Sequence, residues 1–202
     1  MEQIIYATSF LIGIMFGSFF SLAIYRIPLA EDIIKKRSFC PNCNHRLEFL
    51  DLIPILSYIF LKGKCRYCKE KIRIRYLLLE MFSGIVFLVY VVSINIKIIN
   101  IFNIIYIMAG LLYITSLFII VGIDKEHKNI NKNVFIYGII TELLYLCVLA
   151  YENIYRYDIL FLLGISLIKI FFIKYKKTIP YWLASINIII IILLNLILNY
   201  RW

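Results

Sequence analysis

The sequence predicts an all-α integral membrane protein with about six transmembrane helices. Three observations lead there. Of its 202 residues, 63% are hydrophobic and only 17% are charged, which leaves too little polar surface to cover the apolar mass in water. The apolar runs approach the roughly 20 residues needed to cross a hydrocarbon core and lack the period-two alternation of strands. Basic residues fall on alternate connections, as they do on one side of a bilayer. A chain of this length has room for one or two soluble domains, but the composition divides it into spans. Within lipid every backbone group must be satisfied inside its own segment, and helices achieve that.

The runs are 4–24, 77–94, 100–123, 134–150, 159–173 and 180–198. The first follows Glu2, with no basic stretch ahead of it and no small-residue cleavage site before Arg26. It therefore reads as a retained span and not as a secretory signal. Gly13 and Gly17 form a GxxxG pattern in it, the spacing that lets two helices approach closely. The fourth and fifth runs are short for a span. Glu142 sits inside the fourth, where a carboxyl is costly; it is either functional or protonated and bonded to another helix. Glu80 opens the second run, Lys169 can snorkel to the interface, and Cys147 reads as a buried small hydrophobe.

Charge fixes the orientation. The net charge is +10, and 12 of the 22 lysines and arginines lie between Arg26 and Arg75. Segments 124–133 and 174–179 carry three lysines each, whereas 95–99 has only Lys97 and 151–158 sets Arg156 against Glu152 and Asp158. The positive-inside rule then puts all three basic segments in the cytoplasm and both termini outside. It also accounts for the basic balance without nucleic acid, while leaving contact with anionic lipid. The predicted division is a first transmembrane helix at 1–24, a cytoplasmic loop at 25–76 and a membrane helical domain at 77–202, in a cell inner or plasma membrane.

The loop contains Cys40-Pro-Asn-Cys43, then 21 residues, then Cys65-Arg-Tyr-Cys68. Two residues between cysteines let a tight turn aim both sulfurs at one ion, and two such turns complete a tetrahedron, so the spacing matches a zinc ribbon or knuckle. Disulfides or redox-active pairs are the rival reading, but disulfides are rare in a reducing cytoplasm. Four thiolates fill the coordination sphere, so the expected role is structural. Lys64, Arg66 and Arg46 are expected to offset the charge, and His45 to be a solvated loop residue. A loop of this size has little core, so the metal is expected to supply its folding energy.

Residues 13–80 resemble the type IV prepilin leader peptidases. The resemblance rests on Phe16-Gly17-Ser18-Phe19, Tyr25-Arg26-Ile27-Pro28, Arg37-Ser38-Phe39-Cys40-Pro41-Asn42-Cys43, Asp51-Leu52-Ile53-Pro54-Ile55-Leu56-Ser57-Tyr58, Gly63-Lys64-Cys65-Arg66-Tyr67-Cys68, and Ile74-Arg75-Tyr76 with Glu80. It implies a membrane enzyme that removes the basic leader of prepilins and pseudopilins on the cytoplasmic side. In many members methylation of the new N-terminus follows, with S-adenosylmethionine as donor. The family's peptidase uses two aspartates at the membrane edge. The third span ends in Gly122-Ile123-Asp124-Lys125-Glu126-His127, like the family's first aspartate motif, which makes Asp124 one candidate.

The family's second aspartate lies in Gly-x-Gly-Asp, and this sequence has no Gly-Asp dipeptide. Asp158, before Ile159-Leu160 and Gly164, is the remaining candidate. One predicted span separates the two, which sets them about 25 Å apart at 1.5 Å per residue unless 134–150 is re-entrant or Asp158 lies deep in a bent helix. Thr178-Ile179-Pro180-Tyr181 also resembles a late family segment, without its glycine and second proline. The alternative is therefore a degenerate paralogue that binds pilin precursors or assembly partners without cutting them.

Overall fold

The computed structural model describes residues 2–33, 37–94, 101–127, 132–151 and 181–199. Its elements are helical: α1 (Glu2–Arg26), α2 (Leu56–Phe60), α3 (Arg75–Ile94), α4 (Ile101–His127), α5 (Lys132–Tyr151) and α6 (Tyr181–Asn199), with single 3₁₀ turns at Ile27–Leu29 and Phe49–Asp51. Among the described residues the extended structure amounts to isolated bridges. Among the described residues four helices, those based on α1, α3, α4 and α5, are long and apolar enough to cross a membrane. The described residues of the expected spans 4–24, 77–94, 100–123, 134–150 and 180–198 each fall on a helix. The expected span 159–173 lies outside the described residues, as does Lys169. One boundary differs from expectation, because α4 runs on to His127. Asp124 therefore sits in the last turn of a helix and not in the connection after it.

The chain divides into two compact units, Met1–Leu88 and Val89–Trp202. In the first, α1 packs on α3 through the predicted glycines. A Cβ on Gly13 would lie 2.8 Å from Cα of Gly84, and one on Gly17 would meet Oγ of Ser83 and Cα of Glu80. Ser83, fully buried, donates to the carbonyl of Gly13 at 2.8 Å. Phe16 closes the seam against Phe87, with ring centroids 5.8 Å apart. Between lipid-facing helices this close contact replaces the hydrophobic drive available in water. Gly17→Leu should therefore force the pair apart, at about 1–3 kcal/mol for overpacking a filled seam. A lowered unfolding temperature of the detergent-solubilised chain is the expected reading, and an unchanged one would refute the close approach.

In the second unit α4 packs against α5 and α6. Tyr106 meets Tyr145 and Tyr113 meets Glu142, the descending register of antiparallel helices. A polar column runs through this interior. The Tyr106 hydroxyl donates to Asn195 at 2.5 Å, and the Tyr113 hydroxyl lies 2.9 Å from Glu142 and 3.2 Å from Asn187. The Tyr145 ring stacks on both tyrosines. Glu142 is buried and accepts a hydrogen bond from Tyr113 on another helix. Cys147 departs from expectation: it is exposed on α5, because Tyr145, Leu146 and Leu149 take the packed face.

Candidate metal centre and carboxylate site

The four loop cysteines converge. The sulfurs of Cys40, Cys43, Cys65 and Cys68 all lie within 4.8 Å of one another, and those of Cys40 and Cys68 are 3.8 Å apart. A tetrahedron with metal–sulfur bonds of about 2.3 Å has edges of about 3.8 Å, so the donor set fits such an ion.

Two turns of near-identical construction aim these sulfurs. In the first, the amide of Asn44 donates to the carbonyl of Cys40, and the amide of Cys40 to the carbonyl of His45. In the second, the amide of Lys69 donates to the carbonyl of Cys65, and the amide of Cys65 to the carbonyl of Glu70. Each has a left-handed residue just after its second cysteine, Asn44 at φ 55° and Lys69 at φ 60°. Each is closed by an antiparallel bridge, Phe39 with Arg46 and Lys64 with Lys71. The left-handed residue reverses the chain within one step, which brings both sulfurs of a CxxC to the same side.

The sulfurs differ in basicity. The Glu70 backbone hydrogen bond, followed by those from Asn42 and the neighbouring thiols, holds Cys68 down to about 7. For Cys43 the His45 backbone bond pulls downward. Desolvation and the Cys40 and Cys68 sulfurs outweigh it and push the thiol up to about 11. Four thiolates this close repel one another, so their joint ionisation requires a cation among them.

Two expectations for the loop change. Arg66 does not serve the sulfurs, because its Nε donates to Oδ1 of Asp51 at 2.6 Å, and Tyr67 donates to the other Asp51 oxygen at 3.4 Å. Asp51 also accepts the amide of Glu48 at 3.2 Å, so this one carboxylate ties the 3₁₀ turn to the second cysteine turn. His45 is exposed as expected, but its ring lies on Tyr67 with centroids 3.6 Å apart, which joins the two cysteine turns.

Two buried charged residues anchor the loop to the helices. Arg26, ending α1, is 1% exposed and donates to the carbonyls of Asp32, at 3.1 Å, and Arg37, at 3.0 Å. Glu80 on α3 accepts the amide of Ile55 at 2.7 Å. Ile55 has φ 62° and ψ −54°, and Leu56 donates across it to the carbonyl of Pro54 at 2.6 Å. This is a γ-turn with a β-branched residue at positive φ, a conformation that persists only where its surroundings enforce it. Glu80 provides that restraint and orients the loop. Glu80→Ala should release the turn, and faster cleavage between Asp51 and Lys64 in limited proteolysis is the check.

Asp124 is buried at 5% exposure in the last turn of α4, and its Oδ1 has no hydrogen-bond partner among the described residues. Asp158 lies outside the described residues. Glu142 is bonded to Tyr113, 11 residues before Asp124 on α4, so it lies about 16 Å deeper along the helix. That distance prevents the two carboxyls from sharing a proton.

Comparison with known proteins covers the N-terminal half best. Residues 11–94 match the bacterial peptidase A24 N-terminal domain. The chain is 41% identical over 78 residues to a prepilin leader peptidase/N-methyltransferase of Myxococcus xanthus, covering 39% of this chain and 23% of that protein. Against the protein of the same description from Vibrio cholerae it is 36% identical over 102 residues, covering 46% and 40%. Against that of Bacillus subtilis it is 44% identical over 78 residues, covering 39% and 32%. The chain thus spans well under half the length of these three curated relatives. No solved structure matches it. Over residues 11–94 the chain is therefore similar to the N-terminal domain of bacterial A24 peptidases, and these three relatives share the description prepilin leader peptidase/N-methyltransferase.

Proposed function

We propose that the chain is a membrane aspartic prepilin peptidase-like protein that removes leader peptides from type IV pilin-like precursors at the cytoplasmic face. The observation that carries this reading is the similarity to the A24 N-terminal domain over residues 11–94, followed by a buried aspartate with an unpartnered oxygen at the end of a candidate span. In this reading 1–24 is the first transmembrane helix, 25–76 the cytoplasmic metal loop and 77–202 the peptidase-like membrane domain.

Hydrolysis of an amide without a nucleophilic side chain needs two carboxyls. One takes a proton from the attacking water, while the other gives a proton to the departing nitrogen. Asp124 takes one role and Asp158 the other, which requires 134–150 or the segment around Asp158 to bring them to one membrane face. Zinc is the ion for the four thiolates, since a closed set of four sulfurs suits a structural zinc and leaves no position for substrate. The zinc loop then holds the α1–α3 end of the protein in shape. S-adenosylmethionine is the methyl donor if the new N-terminus is also methylated, as the relatives' descriptions name that activity for them.

Co-expression with a prepilin tests the reading. The expected result is a precursor shortened by its leader, and an uncut precursor would remove the peptidase. The absence of a Gly-Asp dipeptide favours one second reading, a paralogue that binds the precursor or an assembly partner without cutting it. That paralogue would retain the uncut precursor on co-purification.

A further inference from the structure

The cysteine loop is not polar all over. On its 3₁₀ turn and the residue that caps it, Phe49, Leu50 and Leu52 are exposed, at 81%, 59% and 41%. On α2, Leu56, Ile59 and Phe60 are exposed at 50%, 58% and 78%. Leu56, Ile59 and Phe60 have the i, i+3, i+4 spacing of a single helix face, and the 3₁₀ turn packs beside α2. Six large apolar side chains on two adjacent turns exceed the scattered exposure expected of a solvated loop.

Their depth follows from the Glu80 restraint. The span α3 begins at Arg75, so Glu80 lies about 7.5 Å further along the axis. Its carboxylate holds the amide of Ile55, the residue immediately before α2. The start of α2 is thereby tied to the first turns of a membrane span, the depth at which interfacial helices bury an apolar face, about 5–10 Å. Basic side chains surround the same segment: Lys62, Lys64, Lys71 and Arg73 are all exposed. That arrangement of an apolar face with a basic rim fits anionic headgroups over an acyl layer.

We propose that the face formed by Phe49, Leu50, Leu52, Leu56, Ile59 and Phe60 inserts into the leaflet from which the loop emerges and binds anionic lipid there. The proposal rests on α3 spanning the membrane. The loop then lies flat on the bilayer, with the metal centre on its water side.

The test uses the full chain with Trp182→Phe and Trp202→Phe, reconstituted in vesicles of phosphatidylcholine and phosphatidylglycerol. Phe60→Trp and, separately, Phe49→Trp report the face, and Ile85→Trp in the middle of α3 reports the span. Lipids are brominated either near the headgroup end or near the methyl end of the chain. Both loop reporters should lose about half their emission to the shallow bromines and less to the deep ones, as an interfacial depth requires. The loss should grow with the share of phosphatidylglycerol. The α3 reporter should show the opposite depth order. Loop reporters open to aqueous iodide and untouched by bromine would overturn the proposal. Shielding from both quenchers would overturn it too, since protein and not lipid would then cover the face. Failure of the α3 reporter to be quenched by lipid would remove the spanning reading, and the proposal with it.

Discussion

Cys65→Ser should strip the metal from the purified chain and unfold the segment between α1 and α3. Few apolar side chains are buried in this loop; Cys40 and Cys65 are among the few buried there. Its order rests on two cysteine turns, the Asp51 contacts and the anchors at Arg26 and Glu80. A structural zinc contributes on the order of 10–16 kcal/mol of apparent binding free energy at neutral pH, far more than a few hydrogen bonds of about 1 kcal/mol each. Losing one thiolate should therefore remove most of the loop's stability at once. The expected native content is about one zinc per chain, and the variant should hold much less. Proteolysis should then cut freely between Ser38 and Lys71, while the Gly13–Gly84 seam keeps α1 and α3 together. Native protein without bound zinc would refute the metal assignment. Full zinc loading with an equally resistant loop in the variant would refute the four-sulfur geometry.

Parts of this architecture were legible in the sequence because they depend on local pattern. Apolar length gave the helices, and the CxxC spacing gave the cysteine cluster. The small residues at Gly13 and Gly17 marked the α1–α3 contact. The end of α4 was less legible, since Asp124, Lys125, Glu126 and His127 look like a polar connection although the helix continues through them. What could not be read depends on pairings distant in sequence. Asp51 takes Arg66 from the role expected of it. Glu80 enforces a γ-turn at Ile55, and Arg26 closes on carbonyls at the start of the loop. Asn187 and Asn195 meet tyrosines 74 and 89 residues away. Only Glu142 gave a signal for that column, as a carboxyl inside an apolar run, and its tyrosine partner carried none. The turn at Ile55 was the least accessible, since a β-branched residue is a poor guide to positive φ.

On the proposed peptidase reading, Asp124→Asn should abolish leader removal while leaving zinc content and the protease resistance of the loop unchanged. The substitution keeps the size of the side chain and one carbonyl oxygen but removes the ability to gain or lose a proton. If Asp124 is one of two carboxyls dividing acid and base work, its loss should lower cleavage about a hundredfold to ten-thousandfold. Asp158→Asn should cause a comparable loss, because either carboxyl alone leaves proton transfer half complete. Glu142→Gln provides the contrast, since that carboxyl lies about 16 Å deeper along the helices and is bonded to Tyr113. It should retain cleavage wherever the chain remains folded, with the amide oxygen still accepting from the tyrosine. Cleavage rates for the three variants against one prepilin substrate, each normalised to zinc content, separate a chemical loss from a folding defect. If Asp124→Asn cuts as fast as the native chain, the unpartnered oxygen on α4 has no part in proteolysis. Loss in Asp124→Asn without loss in Asp158→Asn would keep the first carboxyl and require another partner for it on the same membrane face.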